Sequence, residues 1–385
     1  MVPEGWTEAK VKELPGQNGR PVTKLGPFGS SLKKSDYTPS GYKVYGQQQV
    51  LANDEDFGDY WISEDKFKSL QACEVQPGDI LLSTMGSFGS ALRLTEHCAP
   101  GIINPRLLRL SISAEIADPR FLEFFFKSSL AERQFLSFAQ GGTMPAVNGA
   151  SIGGLKVPLP PLAEQRKIAD ILSTWDRAIE TTEALLATAR TQKRALMQTL
   201  LTGKRRFPEF KGKEWKEVRL GDVLEISYGK SPKDIIAEVG EYPVLGTGGV
   251  TGRTNTAMAE GPAIVIGRKG TIDSPQWVEG SFWCIDTTYF CEAKKGVDLA
   301  WVFAWLRSIN LRIYNEASGV PSLSRETLRA IRLSLPGLEE QSSIAEVFTA
   351  CDAEIVSVTA QVEKLRTEKK ALMQQLLTGK RRVVV

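Results

Sequence analysis

Several stretches of this 385-residue chain combine cationic, amide and small hydroxyl side chains in the way a polyanion contact requires. Lys33 and Lys34 follow Ser30-Ser31-Leu32, and Gln47, Gln48 and Gln49 form an uninterrupted amide run. Lys230, Ser231 and Lys233 follow Gly229, and Thr247 lies inside Gly246-Thr247-Gly248-Gly249. Further on come Thr84 and Ser87, Arg106 after Asn104-Pro105, and Thr143. The second half adds Arg253, Asn255, Arg268, Lys269 and Ser322. Lysine and arginine contact phosphates and, with glutamine and asparagine, the edges of bases. Small Gly, Ser and Thr residues let backbone N–H groups approach phosphate oxygens. These residues are the expected DNA contacts, although each loop taken alone also reads as a solvated turn.

No catalytic constellation accompanies them. His97 is the single histidine and sits in Thr-Glu-His-Cys-Ala-Pro, which reads as a surface position rather than a triad member. Gly229-Lys230-Ser231 lacks the earlier glycine of a phosphate loop, where Leu224 stands instead. Gly246 to Gly252 misses the dinucleotide spacing by one residue, and Asn104-Pro105-Arg106 only partly matches an Asn-Pro-Pro-Tyr methyltransferase motif. No catalytic residue, cofactor or metal site is therefore expected on this chain, and chemistry must come from partners.

Composition agrees. The net charge of +3, from 48 basic and 45 acidic residues, permits local nucleic-acid patches without announcing them. Hydrophobic and charged residues, 42% and 24%, are ordinary for a globular protein. Residues 1–11 contain no apolar core of a secretory signal, and no run is long enough to span a membrane. The five scattered cysteines, Cys73, Cys98, Cys284, Cys291 and Cys351, form no C-x-x-C pair and favour a reducing cytoplasm over a disulfide framework.

The elements that must position the polar loops announce themselves by repetition. Residues 159–206 and 335–382 align without a gap at a spacing of 176, with 24 of 48 positions identical. Both open on Leu-Pro-x-Leu-x-Glu-Gln and close on Ala-Leu-Met-Gln-x-Leu-Leu-Thr-Gly-Lys-Arg-Arg. Each reads as one helix of about 40 residues, roughly 60 Å long, entered at proline and stopped at Gly203 or Gly379. A seam alternating by four and three runs through each. In the first copy it comprises Ile168, Leu172, Trp175, Ile179, Leu186, Leu196 and Leu200. In the second it comprises Ile344, Phe348, Ile355, Val362, Leu365, Leu372 and Leu376. Thr182, Lys193 and Lys369 interrupt it; the lysines either fix the register or snorkel at the edge. The expected arrangement is an antiparallel coiled coil with an internal pseudo-two-fold. The matched Lys204-Arg205-Arg206 and Lys380-Arg381-Arg382 ends read as contacts to common partners or the DNA backbone.

A globular segment precedes each helix. Trp6-Thr7-Glu8 resembles Trp215-Lys216-Glu217, the stretch 41–46 resembles 241–246, and 79–87 resembles 263–271; Pro145 and Pro321 keep the 176 spacing. Short apolar runs at 80–82, 107–110, 264–266 and 331–335 predict strands, and 121–138 and 299–314 predict one amphipathic helix per unit. The fold class is α+β, with two mixed α/β domains separated by the two long helices.

The duplicated Leu-Pro-Pro-Leu-Ala-Glu-Gln-Arg-Lys-Ile-Ala opening, with a diverged domain before each copy, resembles the specificity subunit of type I restriction–modification systems over essentially the whole chain. The resemblance implies target-recognition domains at 1–157 and 207–333, a central conserved helix at 158–206 and a C-terminal one at 334–385. Each domain would read half of a split double-stranded DNA site. The helices would set the spacer and dock two methyltransferase subunits, with a motor–endonuclease subunit completing the complex in the cytoplasm. S-adenosylmethionine, ATP and Mg would bind only those partner subunits. The alternative is a coiled-coil scaffold whose globular units bind protein.

Overall fold

The computed structural model describes residues 2–84, 90–138 and 148–384. The chain divides into two compact units, residues 1–181 with 362–385, and residues 182–361. Each unit contains one globular segment and part of both long helices, so the division falls across the helices rather than at their ends.

In the first unit, Thr7–Lys10 pairs antiparallel with Lys156–Leu159, immediately before the first long helix. A four-stranded sheet runs in the order Thr23–Leu25, Leu107–Leu110, Ile80–Ser83, Ala91–Arg93. A second runs Tyr37–Thr38, Trp61–Ile62, Tyr42–Tyr45, Gly101–Ile103. The apolar runs expected as strands are strands here, and burying them supplies the core, at about 1.5–3 kcal/mol per large apolar side chain. Residues 121–138 are two helices, Pro119–Phe126 and Ser129–Ser137, not one. Ser128 causes the break: its Oγ donates to Phe125 O at 2.6 Å and caps the second helix by accepting from Ala131 N. Phe121, Phe125 and Phe126 join Trp6, Ile168, Leu172, Leu376 and Leu377 in one core.

The second unit repeats this plan. Lys216–Arg219 pairs antiparallel with Arg332–Leu335. One sheet runs Leu224–Tyr228, Thr288–Ala293, Ala263–Gly267, Gln276–Val278, and the other has five strands around Tyr242–Gly246. Here the predicted 299–314 helix is Leu299–Ser308 followed by a 3-10 turn at Leu311–Tyr314. Trp301, Val302 and Leu306 pack with Leu200, Leu201, Ile344 and Phe348.

The long helices span Leu162–Leu200 and Leu338–Leu377. Gly203 and Gly379 follow them with φ of 69° and 66°, the left-handed stop that glycine adopts without strain. Every seam position named from the sequence is buried or half-buried. The seam lysines are ion-paired rather than snorkelling: Lys193 with Asp352 in the second unit, Lys369 with Asp176 in the first. Within the second unit Leu200 packs near Ile344 while Lys193 meets Asp352, so the two helix segments run antiparallel there. No described helix is long and apolar enough to cross a membrane.

Candidate nucleic-acid interface

In the second unit, three strand ends converge. Tyr228 ends its strand opposite the buried Tyr289, with ring centroids 5.2 Å apart. Tyr289 Oη donates to Leu323 O at 3.1 Å, and Leu323 N donates to Arg268 O at 2.9 Å. Arg268 N and Lys269 N both donate to Thr287 O, and Lys269 bridges to Ser322. Lys230 N donates to Cys284 O at 2.9 Å while Trp283 Nε1 donates to Lys230 O at 3.0 Å. A Cβ on Gly229 would stand 2.0 Å from Ile285 O, so only glycine permits this approach. The fold thus gathers Lys230, Arg268, Lys269 and Ser322, with Thr247 beside Gly270. Ser231 and Lys233 are exposed on the adjoining segment.

Arg253 and Asn255 do something else. Arg253 donates to Gly240 O at 2.7 Å and Glu241 O at 2.9 Å, and Asn255 Oδ1 accepts from Glu241 N at 3.2 Å. Together they clamp a turn. Two residues that the sequence reading did not single out do reach the cluster. Arg325, first residue of the Arg325–Ala330 helix, places its guanidinium 4.7 Å from the Tyr228 ring centre, and Arg268 lies 5.7 Å from the same ring. Tyr228 itself is 44% exposed.

In the first unit a groove of about 390 Å³ is lined by Tyr37, Gln47, Gln48, Tyr60, Asn104 and Arg106, among others. Gln48 and Arg106 are exposed, and Thr84 N donates to Arg106 O, which brings Thr84 alongside. Gln49 corrects the expectation of a DNA-facing amide run. It is 1% exposed, its Oε1 accepts from Gly46 N and its Nε2 donates to Phe57 O, so it pins the loop. Lys33 and Lys34 are exposed. The Lys33 amide donates to Asp36 Oδ2 at 2.6 Å and, with Lys66, holds the Asp36 carboxyl below its ordinary range. Ser87, Thr143 and Pro145 lie outside the described residues.

The helix ends answer a different question. Glu164 accepts from Arg382 Nε and Nη2, both at 2.8 Å, and from Trp6 Nε1 at 3.1 Å. Glu340 accepts from Arg206 Nε at 2.8 Å, Arg206 Nη2 at 2.6 Å and Trp215 Nε1 at 3.0 Å. In each case the arginine also lies 5.7 Å over the tryptophan ring. Gln165 Oε1 accepts from Asp118 N and Gln341 Oε1 from Asp298 N, while their Nε2 groups donate to Pro160 O and Pro336 O. The Glu-Gln pair of the repeated motif therefore ties each helix start to its own globular unit. Arg206 and Arg382 are committed to these locks, which corrects their reading as contacts to partners or DNA. The repeat at 176 residues pointed to these glutamates, but nothing local pointed to Trp6, 158 residues from its acceptor.

Burial pushes all five cysteine thiols up, Cys98 to about 11 and Cys284 to about 12, away from the thiolate form. Among the described residues no cluster of His, Cys, Asp and Glu is arranged to hold a metal ion.

Residues 22–190 and 212–365 each match the type I restriction modification DNA specificity domain family. Among relatives, the chain is 28% identical over 357 residues to the MjaVIII specificity subunit of a type I restriction enzyme from Methanocaldococcus jannaschii, covering 80% of both chains. It is 29% identical over 269 residues to a chain from the same organism named as the MjaX specificity subunit of a type I restriction enzyme. That alignment spans 62% of each, a little under two thirds of the relative's length. The fold is similar to the crystal structure of a type I restriction–modification S subunit from M. genitalium, with a TM-score of 0.63, 18% identity and 96% of both chains covered.

Proposed function

Because the chain belongs to the type I restriction–modification DNA specificity family, we propose that it selects the DNA sequence on which a type I complex acts, each globular unit reading one half of a bipartite target. It is the non-catalytic member of that complex. Two methyltransferase subunits and a motor–endonuclease subunit supply the chemistry and bind S-adenosylmethionine, ATP and Mg; the assembly works in the cytoplasm. One observation carries the reading: the two units hold their helices by the same Glu–Arg–Trp locks, while the loops at their sheet ends carry different side chains. A common frame with divergent edges suits one set of partners and two different half-sites. The matches do not favour the alternative of a protein-binding scaffold.

Residues 1–157 and 207–333 are the proposed recognition domains, and 158–206 and 334–385 the conserved helices. We assign Lys33, Lys34, Gln47, Gln48, Thr84 and Arg106 to the first half-site contact, with Ser87 and Thr143 as further candidates. Lys230, Ser231, Lys233, Thr247, Arg268, Lys269 and Ser322 serve the second. The shielded seam supports an antiparallel coiled coil whose length acts as the ruler between half-sites, since DNA rises about 3.4 Å per base pair.

The test is methylation mapping in a host that carries the chain with its methyltransferase partner. A bipartite modified motif is expected. Replacing residues 207–333 with those of a relative should change one half and leave the other. If both halves changed, or neither did, the two-reader model would fail. Removing whole heptads from both helices should shorten the spacer; an unchanged spacer would remove the ruler.

A further inference from the structure

Arg268 and Arg325 sit over one exposed tyrosine, an arrangement that folding alone does not favour. Their guanidiniums lie 5.7 and 4.7 Å from the Tyr228 ring centre, so two positive charges are gathered at one aromatic face or edge. Among the described residues neither is paired with a carboxylate; the Arg268 side chain makes one hydrogen bond, to Asp286 O at 3.2 Å. The ring attracts each cation only weakly at such an exposed site, and the two charges repel each other.

The cluster is also braced from behind. Tyr228 leans on Tyr289, which is 1% exposed and hydrogen-bonded to Leu323 O. Leu323 N is bonded to Arg268 O, and Ser324, which caps the next helix by accepting from Thr327 N at 3.1 Å, sets the position of Arg325. An arginine laid against a ring presents a fixed fork, the geometry that bidentate acceptance requires. Around it stand the exposed Lys230 and Lys269, flexible point charges suited to phosphates.

Among the described residues the first unit has no counterpart. Gly26 N donates to Leu107 O as Gly229 N donates to Thr288 O, which makes Leu25 the equivalent of Tyr228. Thr84 N donates to Arg106 O as Arg268 N donates to Thr287 O, which makes Thr84 the equivalent of Arg268. Asn148 and Ser324 cap corresponding helices, so Gly149 stands where Arg325 does. All three members differ at once, as expected for side chains that set sequence choice rather than backbone grip.

We propose that Arg268 and Arg325, braced on Tyr228, are specificity-determining residues of the second unit and read guanine in the major groove, where O6 and N7 accept an arginine fork. Tyr228 is a positioning residue. This rests on the DNA-reading function proposed above.

The experiment uses the full chain with its methyltransferase partner, read by methylation motif and by binding to duplexes with single base changes. Arg325→Ala and Arg268→Ala should each lower discrimination at a guanine of one half-site by about tenfold to a hundredfold, leaving the other half-site unchanged. Arg325→Lys keeps the charge and loses the fork, so it should relax the same position while retaining the salt dependence. Tyr228→Leu should relax it less. An unchanged motif in the alanine variants overturns the proposal. So does a uniform loss of affinity across all sequences with a shallower salt slope, which marks a phosphate contact. Full discrimination by Arg325→Lys also overturns it. A wild-type complex without a bipartite motif would instead sink the underlying function, which separates the two failures.

Discussion

The two units solve one mechanical problem identically and one chemical problem differently. Where they grip the helices, Glu164–Arg382–Trp6 and Glu340–Arg206–Trp215 match contact for contact. Inside the sheets they diverge. The first unit buries Asp79, 0% exposed, against Arg109 at 3.8 Å and Arg20 at 3.2 Å. The ladder register places Ala263 and Phe290 at the corresponding points of the second unit, where the interior is apolar. The lesson is that the helix-facing side is constrained by its geometry, whereas the sheet interior accepts either a cluster of opposite charges or hydrocarbon.

That contrast can be broken most forcefully at Asp79. Burial pushes its carboxyl up, and Ser111 and the flanking arginines offset this only in part. Asp79→Ala leaves Arg109, 2% exposed, without its counter-ion, at a cost of about 3–5 kcal/mol in urea unfolding. Adding Arg109→Phe, which imitates the Ala263–Phe290 arrangement, should restore much of the loss. A single variant that loses less than about 1 kcal/mol would show that the ion cluster is not what holds this sheet.

The shared locks give the next largest effect. Glu164→Gln and Glu340→Gln each remove a nearly buried carboxylate that accepts three hydrogen bonds, two of them from a guanidinium. Each should cost about 1.5–3 kcal/mol, and by similar amounts in thermal unfolding. Markedly unequal losses would deny the equivalence of the units. Acid adds a second readout. Burial raises the Glu164 carboxyl, but the hydrogen bonds from Arg382 and Trp6 and the charge of Arg382 outweigh it, so its value lies below the ordinary 4.5. The unfolded chain therefore takes up this proton first. The contribution is present above about pH 4.5 and is lost as pH falls below it, and Glu164→Gln should flatten that part of the stability profile.

Much of this frame is legible in the sequence. A 176-residue repeat and a four-and-three alternation are local signals, and the helices end at the glycines expected to stop them. Strand positions followed from short apolar runs. What escaped had non-local causes. Gln49 looks like its two neighbours in sequence but turns inward because Gly46 N and Phe57 O need partners. Arg253 and Asn255 share the composition of a binding loop yet brace a turn. Tyr228 and Arg325 were passed over because a strand-end tyrosine and a helix-start arginine, 97 positions apart in the numbering, have no pattern that links them. Composition identifies polar loops, but hydrogen-bond partners decide which of their side chains are left for a ligand.

The smallest effects should come from the seam, where the units differ only in what surrounds an otherwise equal ion pair. Lys193 pairs with Asp352 and Lys369 with Asp176, and both aspartates are partly exposed, at 44% and 49% of their side chains. Water reaches each pair, so Lys→Met at either site should shift unfolding by less than about 1 kcal/mol. The order is nevertheless fixed by the neighbours. Arg307 Nη1 lies 3.7 Å from Asp352 Oδ2 and remains there when Lys193 is lost. Its equivalent in the first unit, Lys127, is already engaged by Glu123 and Asn53 at 2.7 Å, which leaves Asp176 without a substitute. Lys369 also sits 5.2 Å over the Phe124 ring, a contact with no partner in the second unit, where the corresponding helix position is Ala304. Lys369→Met should therefore cost more than Lys193→Met in paired thermal melts. The reverse order would mean that the bare pairs, rather than the side chains each unit places around them, decide how tightly the helices are held.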